Sequence, residues 1–160
     1  MKFNSTRLAA VALTAVAGLI IALAYPLHAG ESADPTSSCR RGQLHITKLC
    51  TNYTGAAGSY CTVATSNLSE LPSGTTVYYD QAFGIPAGNL DSNVMLYVSS
   101  GNWAVGRCTV EAATGKGLCR VVDGVGPLAG FSARVTVVID PKTLITYWDG
   151  TYSFDPPETK

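Results

Sequence analysis

The stretch at residues 103–123 constrains the fold of this chain more than any other part of the sequence. Two runs of strand-forming residues, 103–111 and 118–123, flank the segment AATGKG, whose glycines tolerate the positive φ that hairpin turns require. Cys108 and Cys119 lie at nearly equal distances from the centre of this turn. An antiparallel hairpin therefore brings the two cysteines opposite each other, and in an exported protein they are predicted to form a cross-strand disulfide.

The rest of the chain repeats this pattern of short strand-like runs between turns rich in glycine and proline. In the clearest run, residues 131–140, apolar side chains occupy every second position, beginning at Phe131. Further strands are predicted at residues 44–49, 61–65, 75–80, 93–99 and 144–154. No long helix is predicted after residue 29. The pattern predicts an all-β antiparallel fold, and it does not distinguish a sandwich from a barrel.

The N-terminal residues predict export. Lys2 and Arg7 introduce an uncharged apolar run at residues 8–24, and Leu27-His28-Ala29 resembles a small-residue cleavage site. We therefore predict a signal peptide at residues 1–29, with an uncleaved membrane anchor as the alternative because the run is long. Residues 30–43 are predicted to be a flexible lead-in, 44–155 the folded domain and 156–160 a C-terminal tail. The mature protein is expected to be secreted or periplasmic, without a membrane association.

The charge of the chain gives no reason to expect binding to nucleic acid or to an anionic membrane. The formal net charge is zero, and the Lys and Arg residues are scattered along the sequence. His45 is the only histidine beyond the predicted signal, and the cysteines form no close CxxC pair. Neither a metal site nor a Cys–His catalytic pair is therefore predicted, and no cofactor is expected.

The chain has five cysteines, and all of them follow the predicted signal. Because the count is odd, at least one thiol is free, pairs between chains or has another role. Besides the bond between Cys108 and Cys119, we expect one further disulfide among Cys39, Cys50 and Cys61.

The predicted hairpin also brings charged side chains together. Its register places Arg107 opposite Arg120 and puts Trp103, Arg107 and Glu111 on one face. Two adjacent arginines would bind a ligand carboxylate, with Trp103 as an apolar wall. The alternative is a solvent-exposed face whose charges are screened by Glu111 or Asp123, and such faces are common on strands.

A set of aromatic residues gives a second group of candidate ligand-binding side chains. From this set, Tyr79 and Tyr97 are predicted to bind the ligand together with Trp103. Aromatic walls are frequent in ligand pockets, and ordinary core and cross-strand packing is the alternative. The full set is Tyr78, Tyr79, Tyr97, Trp103, Tyr147, Trp148 and Tyr152.

Three segments resemble the allene oxide cyclase barrel-like proteins, a superfamily that includes the plant dirigent proteins. They are VYYD, GRCTVEAATGKGLCRVVDGVGPLAGFSARVTV and YWDGTYSF. The main feature is GxC on one strand followed by the link DGVGPLAGF at residues 123–131, which is similar to the family's GGTGxFxGA turn. The resemblance covers residues 53–154 and implies an eight-stranded antiparallel barrel with a ligand-sized lumen, often oligomeric. The matched motifs belong to the scaffold, so no functional residue of the family can be assigned to this chain.

Three functions remain open on this basis. The first is binding of a small apolar or amphipathic molecule in the barrel. The second, which the resemblance allows, is a cofactor-free isomerase, cyclase or stereo-directing protein acting in the same cavity. The third is a structural or partner-binding exported protein whose barrel is filled by side chains. A lumen lined by Tyr and Arg would favour the first two functions, and one packed with Val, Leu and Phe would favour the third.

Overall fold

Eight antiparallel strands close into a barrel in the computed structural model, which describes residues 39–155. The strands follow one another around the barrel in chain order, and the eighth pairs with the first. They are β1 (Arg40–Leu49), β2 (Tyr60–Ser66), β3 (Thr76–Tyr79), β4 (Asn89–Ser99), β5 (Asn102–Glu111), β6 (Lys116–Val125), β7 (Phe131–Ile139) and β8 (Ile145–Phe154), with a short 3₁₀ helix at Gly126–Leu128. The all-β prediction is confirmed. Because the sheet is closed, the fold is the eight-stranded barrel that the resemblance implied and not a sandwich. The predicted signal peptide and C-terminal tail lie outside the described residues.

The first strand begins earlier than the sequence pattern indicates. β1 starts at Arg40, within the predicted lead-in, and pairs with β8 along its whole length from Arg40 opposite Phe154 to Leu49 opposite Ile145. The segment Arg40-Arg41-Gly42 has no apolar alternation. Its strand conformation depends on hydrogen bonding to β8, a contact that the local sequence does not encode.

Side chains alternate between the lumen and the outer surface along each strand, as the two-residue period of a strand requires. The middle of the lumen is packed with apolar side chains such as Leu44, Leu96 and Val135, each about 1% exposed. Branched and aromatic residues therefore fill most of the barrel, and little space remains at its centre.

The two ends of the barrel differ. At the closed end, where β1 begins, the loop after β2 and the 3₁₀ helix bury Leu68, Leu71 and Leu128 in the core. The opposite end, which we call the cavity end, carries the connections at residues 50–59, 80–88, 112–115 and 140–144. The candidate site lies at this second end.

Two disulfides are formed in the described part of the chain, Cys50–Cys61 and Cys108–Cys119. The predicted cross-strand bond is confirmed, and so is one further bond among Cys39, Cys50 and Cys61. Cys39, the member of this set without a disulfide, is exposed. Each bond spans 11 residues, so loop-closure entropy assigns each of them about 3 kcal/mol of stability. Disulfides of this kind indicate an oxidising compartment, extracellular or periplasmic. Among residues 39–155, no helix is long and apolar enough to cross a bilayer.

Glycines allow neighbouring strands to approach closely at two places in the barrel wall. A Cβ atom added at Gly150 in β8 would collide with the backbone carbonyl of Arg134 in β7, and one at Gly117 in β6 would collide with that of Thr109 in β5. A side chain at either position would force two hydrogen-bonded strands apart.

Candidate functional site

A small apolar cavity, partly open to solvent, occupies the cavity end of the barrel. Its volume is about 200 Å³, and its walls are almost entirely apolar. Both disulfides border it, together with Tyr53, Tyr79, Leu90, Val110, Leu144 and Trp148. The strands supply most of this wall from inward positions, whereas Tyr53 and Leu144 come from the connecting loops. The cavity is therefore formed jointly by the barrel wall and the loops at its end.

A buried lysine, Lys48, contacts two side chains of the cavity wall but does not line the cavity itself. Lys48 follows Leu44 and Ile46 on the inward face of β1, and its side chain has no exposed surface. Its Nζ atom donates a hydrogen bond to the phenol oxygen of Tyr79 at 2.7 Å and lies 3.7 Å from the centroid of the Trp148 ring. Both of these aromatic residues line the cavity, so the amine contacts two side chains of its wall.

The surroundings of Lys48 favour the uncharged amine. Burial lowers the pKa of Lys48 well below that of an exposed lysine, and among residues 39–155 no carboxylate forms an ion pair with it. The Trp148 ring stabilises an ammonium by about 2 kcal/mol through a cation–π contact. Desolvation of an unpaired ion costs several kcal/mol, which is more than this contact returns. Burial therefore lowers the pKa of Lys48 and shifts the side chain toward the neutral amine.

Tyr79 is also held in its neutral form. Burial, and to a smaller degree the neighbouring Tyr53, raise the pKa of its phenol above the ordinary value. The ring of Tyr53 packs edge-on against that of Tyr79, with centroids 5.2 Å apart. The polar pair at this end of the lumen thus consists of an amine whose pKa is lowered and a neutral phenol, and burial disfavours the charged form of both.

Two further polar atoms of the cavity residues have no hydrogen-bond partner. They are the hydroxyl of Tyr53 and the indole Nε1 of Trp148, both buried. Trp148 is only 1% exposed, so bulk water does not satisfy its N–H group. Buried polar groups in proteins are almost always paired, and an unpaired donor costs about 1–3 kcal/mol. A cavity occupant with an acceptor atom would remove this cost.

Five of the six side chains predicted to bind a ligand lie on the outer surface of the barrel. Arg107 is opposite Arg120 and Trp103 is on the same face, which is the register that the sequence indicates. Arg107, however, makes two hydrogen bonds to the carboxylate of Asp91 in β4, at 2.8 and 2.9 Å. The charge is thus compensated by Asp91, and the screening that we expected from Glu111 or Asp123 is replaced by this pair.

The remaining predicted residues do not form one site with these arginines. Glu111 accepts a hydrogen bond from Thr114 at 2.9 Å, in the turn between β5 and β6. Tyr97 is an outward residue opposite Trp103. Tyr79 alone faces the lumen. The six candidates are therefore divided between the two sides of the barrel wall.

The wider aromatic set divides in the same way. Tyr79 and Trp148 line the cavity, whereas Tyr78 packs across strands against Tyr60 on the outside, with ring centroids 5.4 Å apart. Tyr152 packs near Phe131 at the closed end. Ordinary packing, the alternative considered from the sequence, applies to most of the set.

A larger depression, about 860 Å³, lies on the outer surface around Arg41, Arg120 and Arg134. It is open to solvent, and exposed guanidinium groups are satisfied by water, so nothing in it requires a ligand. Among residues 39–155, no group of three His, Cys, Asp or Glu side chains is placed to hold a metal ion. The apolar cavity at the cavity end is therefore the candidate functional site.

Comparison with known proteins adds no further assignment to this site. The resemblance to the allene oxide cyclase barrel-like proteins rests on the scaffold motifs alone and stays a prediction. No protein-family model, no curated protein and no solved structure matches this chain.

Proposed function

We propose that this protein is an exported barrel that binds a small, largely apolar molecule in the cavity beside Lys48. The observation that carries the proposal is the apolar cavity, partly open to solvent, whose lining residues Tyr53 and Trp148 each have a buried donor without a partner. Ligand sites are typically concave and apolar with a few polar groups that orient the ligand. The resemblance to the allene oxide cyclase barrel-like proteins supports the same use of a barrel cavity.

The size of the cavity limits the ligand. Its volume of about 200 Å³ is below the roughly 300–1,000 Å³ of sites for drug-sized molecules. It exceeds the roughly 150 Å³ of an apolar protein cavity that accepts benzene. A molecule with a single ring or a short alkyl chain fits these limits, and an oxygen or nitrogen acceptor on it would pair with the free donors.

Export is part of the proposal. The apolar N-terminal run after Lys2 and Arg7 supports it from the sequence, and the two disulfides support it from the fold. N-terminal sequencing of the protein recovered outside the cytoplasm tests the cleavage site after Ala29. A mature chain that retains residues 8–24 would contradict the signal peptide and favour the anchor.

A structural or partner-binding role is the second candidate, and one observation favours it. Most of the lumen is packed with Leu, Val and Phe side chains such as Leu96, Val135 and Phe131. This packing is what we expect of a barrel whose task is only to be stable. The isomerase or cyclase alternative would act in the cavity beside Lys48 and stays a prediction.

The two tryptophans of the chain provide a direct test of binding. Trp148 lines the cavity and Trp103 lies on the outer surface, so Trp103→Phe leaves Trp148 as the only indole. Benzyl alcohol, a single ring with one hydroxyl, is the probe. We expect it to change the Trp148 emission of the Trp103→Phe protein in a saturable manner.

The matched control is Trp148→Phe, in which only the outer indole reports. We expect no saturable change in this variant, and circular dichroism of both variants verifies that the barrel is retained. If neither the emission of Trp148 nor the melting temperature of the unaltered protein responds to benzyl alcohol up to its solubility limit, the filled-barrel function is the better one.

A further inference from the structure

We propose that the open depression beside Arg120 and Arg134, on the outer surface of the barrel, binds a polysaccharide that carries sulfate or carboxylate groups. This inference goes beyond the proposed function, because the depression and the apolar cavity have no lining residue in common. The protein would thus hold two different ligands, one at the end of the barrel and one on its wall.

The pairing of the strands brings together arginines that are scattered along the sequence. Arg107 on β5 is opposite Arg120 on β6, and Arg120 is opposite Arg134 on β7. All three are exposed, and neighbouring strands lie about 4.8 Å apart, so they form one outward row across three strands. Like charges directly opposite each other on a sheet are destabilising. Negative charge beside this row would therefore stabilise the fold.

The protein itself compensates only one end of the row. Arg107 makes its two hydrogen bonds to the carboxylate of Asp91. Among residues 39–155, neither Arg120 nor Arg134 forms an ion pair. Water satisfies the N–H groups of each guanidinium, but it does not neutralise two adjacent positive charges. The row thus ends in two arginines that lack a counter-charge from the described part of the chain.

The carboxylates of β6 and β8, and that of Asp155, have other partners. Asp149 on β8 pairs with Nδ1 of His45 at 2.8 Å. Asp123 on β6 accepts a hydrogen bond from the backbone N–H that follows it, at 2.7 Å. Asp155, which lines the depression, accepts one from the thiol of Cys39 at 3.2 Å. An external anion is therefore the counter-charge that the row can still acquire.

The two uncompensated arginines border a concave surface. The depression, about 860 Å³, takes its lining from β6, β7, β8 and β1 and includes the guanidinium group of Arg41. This volume lies within the roughly 300–1,000 Å³ of sites for organic ligands. The uncharged polar side chains of the lining are Gln43, Ser132, Thr151 and Ser153. Guanidinium groups bind the oxygens of an anion, and hydroxyl and amide groups bind sugar hydroxyls, so both parts of an acidic sugar find partners here.

The lining favours a polysaccharide over other polyanions. Single-stranded nucleic acid binds by stacking its bases on aromatic side chains. Tyr152, the aromatic residue of the lining, instead packs its ring against Phe131 and Phe154, with centroids 6.4 and 5.9 Å apart. A bilayer surface attracts basic side chains that protrude toward it, whereas these arginines border a depression in the barrel wall.

The binding test compares a charged polysaccharide with its neutral parent. Dextran sulfate and dextran have the same glucose backbone, and polygalacturonate carries carboxylates in place of sulfates. We expect calorimetric titration at about 50 mM NaCl to detect the charged polymers but not dextran, and binding to weaken at about 500 mM NaCl because salt screens exposed charges. The charged polymer that binds more tightly identifies the anionic group. Failure of both to bind at low salt would overturn the inference.

Two variants locate the binding site. Arg120→Gln and Arg134→Gln each remove one guanidinium group from the depression and keep a polar side chain on the surface. We expect each to weaken binding about tenfold, the effect of losing one hydrogen-bonded charge. Lys142→Gln removes the same charge from the turn before β8, outside the depression, and should bind within about twofold of the unaltered protein. Equal binding by all three variants would contradict the site.

The same variants test the argument from the uncompensated row. Each removes a charge from an unfavourable arrangement, so the free Arg120→Gln and Arg134→Gln proteins should melt at the same temperature as the unaltered protein or higher. Dextran sulfate should raise the melting temperature of the unaltered protein more than that of either variant. A lower melting temperature of both free variants would mean that the arginines stabilise the fold by themselves, and the row would need no ligand.

Other polyanions are tested under the same conditions, with phosphatidylglycerol vesicles and oligothymidylate as probes. Tighter binding of either probe than of the polysaccharides, lost in Arg120→Gln and Arg134→Gln, would replace the polysaccharide by that partner. Benzyl alcohol should bind both variants as it binds the unaltered protein, because neither residue lines the apolar cavity. Failure of this inference is therefore separate from failure of the proposed function.

Discussion

Lys48 places a titratable amine in a lumen that is otherwise apolar. Burial in the folded state lowers the pKa of this amine, whereas in the unfolded chain it has the ordinary lysine pKa of about 10.4. Between the lowered pKa and that value, the unfolded chain binds more protons than the folded one. The free energy of unfolding therefore rises with pH in this window.

Replacing Lys48 by Met is expected to remove this pH dependence. In the unaltered protein, one proton taken up on unfolding gives a slope of up to about 1.4 kcal/mol per pH unit. Tyr53 and Tyr79 titrate above pH 9 in the unfolded state, and any imidazole or thiol that titrates between pH 6 and 9 is the same in both proteins. The difference between their urea unfolding free energies over this range therefore isolates the lysine. The difference between the two proteins should grow with pH in favour of the unaltered one.

Lys142→Met is the matched control, because Lys142 is exposed in the turn before β8. It should reproduce the pH dependence of the unaltered protein. Parallel curves for the unaltered protein and Lys48→Met would mean that the amine keeps its proton in the folded state.

The sequence carried a signal for Lys48 that was insufficient to identify it. A strand at residues 44–49 with Leu44 and Ile46 inward places Lys48 on the same face by period alone. Lysines near strand ends, however, usually extend their ammonium to water along an apolar stem. Tyr79 and Trp148, which hold the amine inside, are contributed by distant strands, so the local pattern could not decide.

At the level of elements, the β5–β6 hairpin was the most predictable part. A short turn sets the register of two adjacent strands, and this register accounts for the disulfide Cys108–Cys119 and for Arg107 opposite Arg120. The partner of Arg107 could not be predicted in the same way. Asp91 lies on β4, two residues before the strand predicted at residues 93–99, and its distance from Arg107 depends on the pairing of β4 with β5.

The glycines inside the strands provide a test at this scale. Gly150 and Gly42 lie on the paired strands β8 and β1, but their surroundings differ. A methyl group at Gly150 would meet the backbone of β7, whereas one at Gly42 would meet the Tyr152 side chain at 2.9 Å. We expect Gly150→Ala to lower the free energy of unfolding by about 3 kcal/mol and Gly42→Ala by about 1 kcal/mol, because a ring can move and a sheet backbone cannot.

Urea unfolding of both variants measures the difference, with circular dichroism as the control for the fold. Equal losses would show that the wall at Gly150 can expand. In that case, the glycine would not be what allows β7 and β8 to approach.

At the scale of the whole molecule, the strand pattern predicted the class of fold, whereas the closed eight-stranded barrel was predicted only through the resemblance and is confirmed. Alternating strands with short turns are common to sandwiches and barrels, and the choice depends on whether β1 meets β8. The cavity was equally inaccessible, since Tyr53 and Leu144 reach it from loops whose conformations have no sequence period. The contacts of Lys48 with Tyr79 and Trp148 could not be predicted either, because they depend on how β1, β3 and β8, which are far apart in the chain, come together.

Closure of the barrel also determines the order in which it can fold. Seven of the eight strand pairs join neighbours in the chain, whereas Arg40 and Phe154, paired across β1 and β8, are 114 residues apart (154 − 40). Compared with a hairpin of about ten residues, closing this loop costs about 2 kcal/mol more in chain entropy. The seam between β1 and β8 should therefore form after the transition state, once the hairpins exist.

Leu44 and Leu96 allow this order to be measured. Both are about 1% exposed, but Leu44 lies at the seam opposite Gly150, whereas Leu96 lies in the β4–β5 hairpin. With the disulfides intact, Leu44→Ala should mainly accelerate unfolding and Leu96→Ala should mainly slow folding in stopped-flow experiments. The opposite result would mean that the ring closes first, and that the hairpins are completed within an already circular sheet.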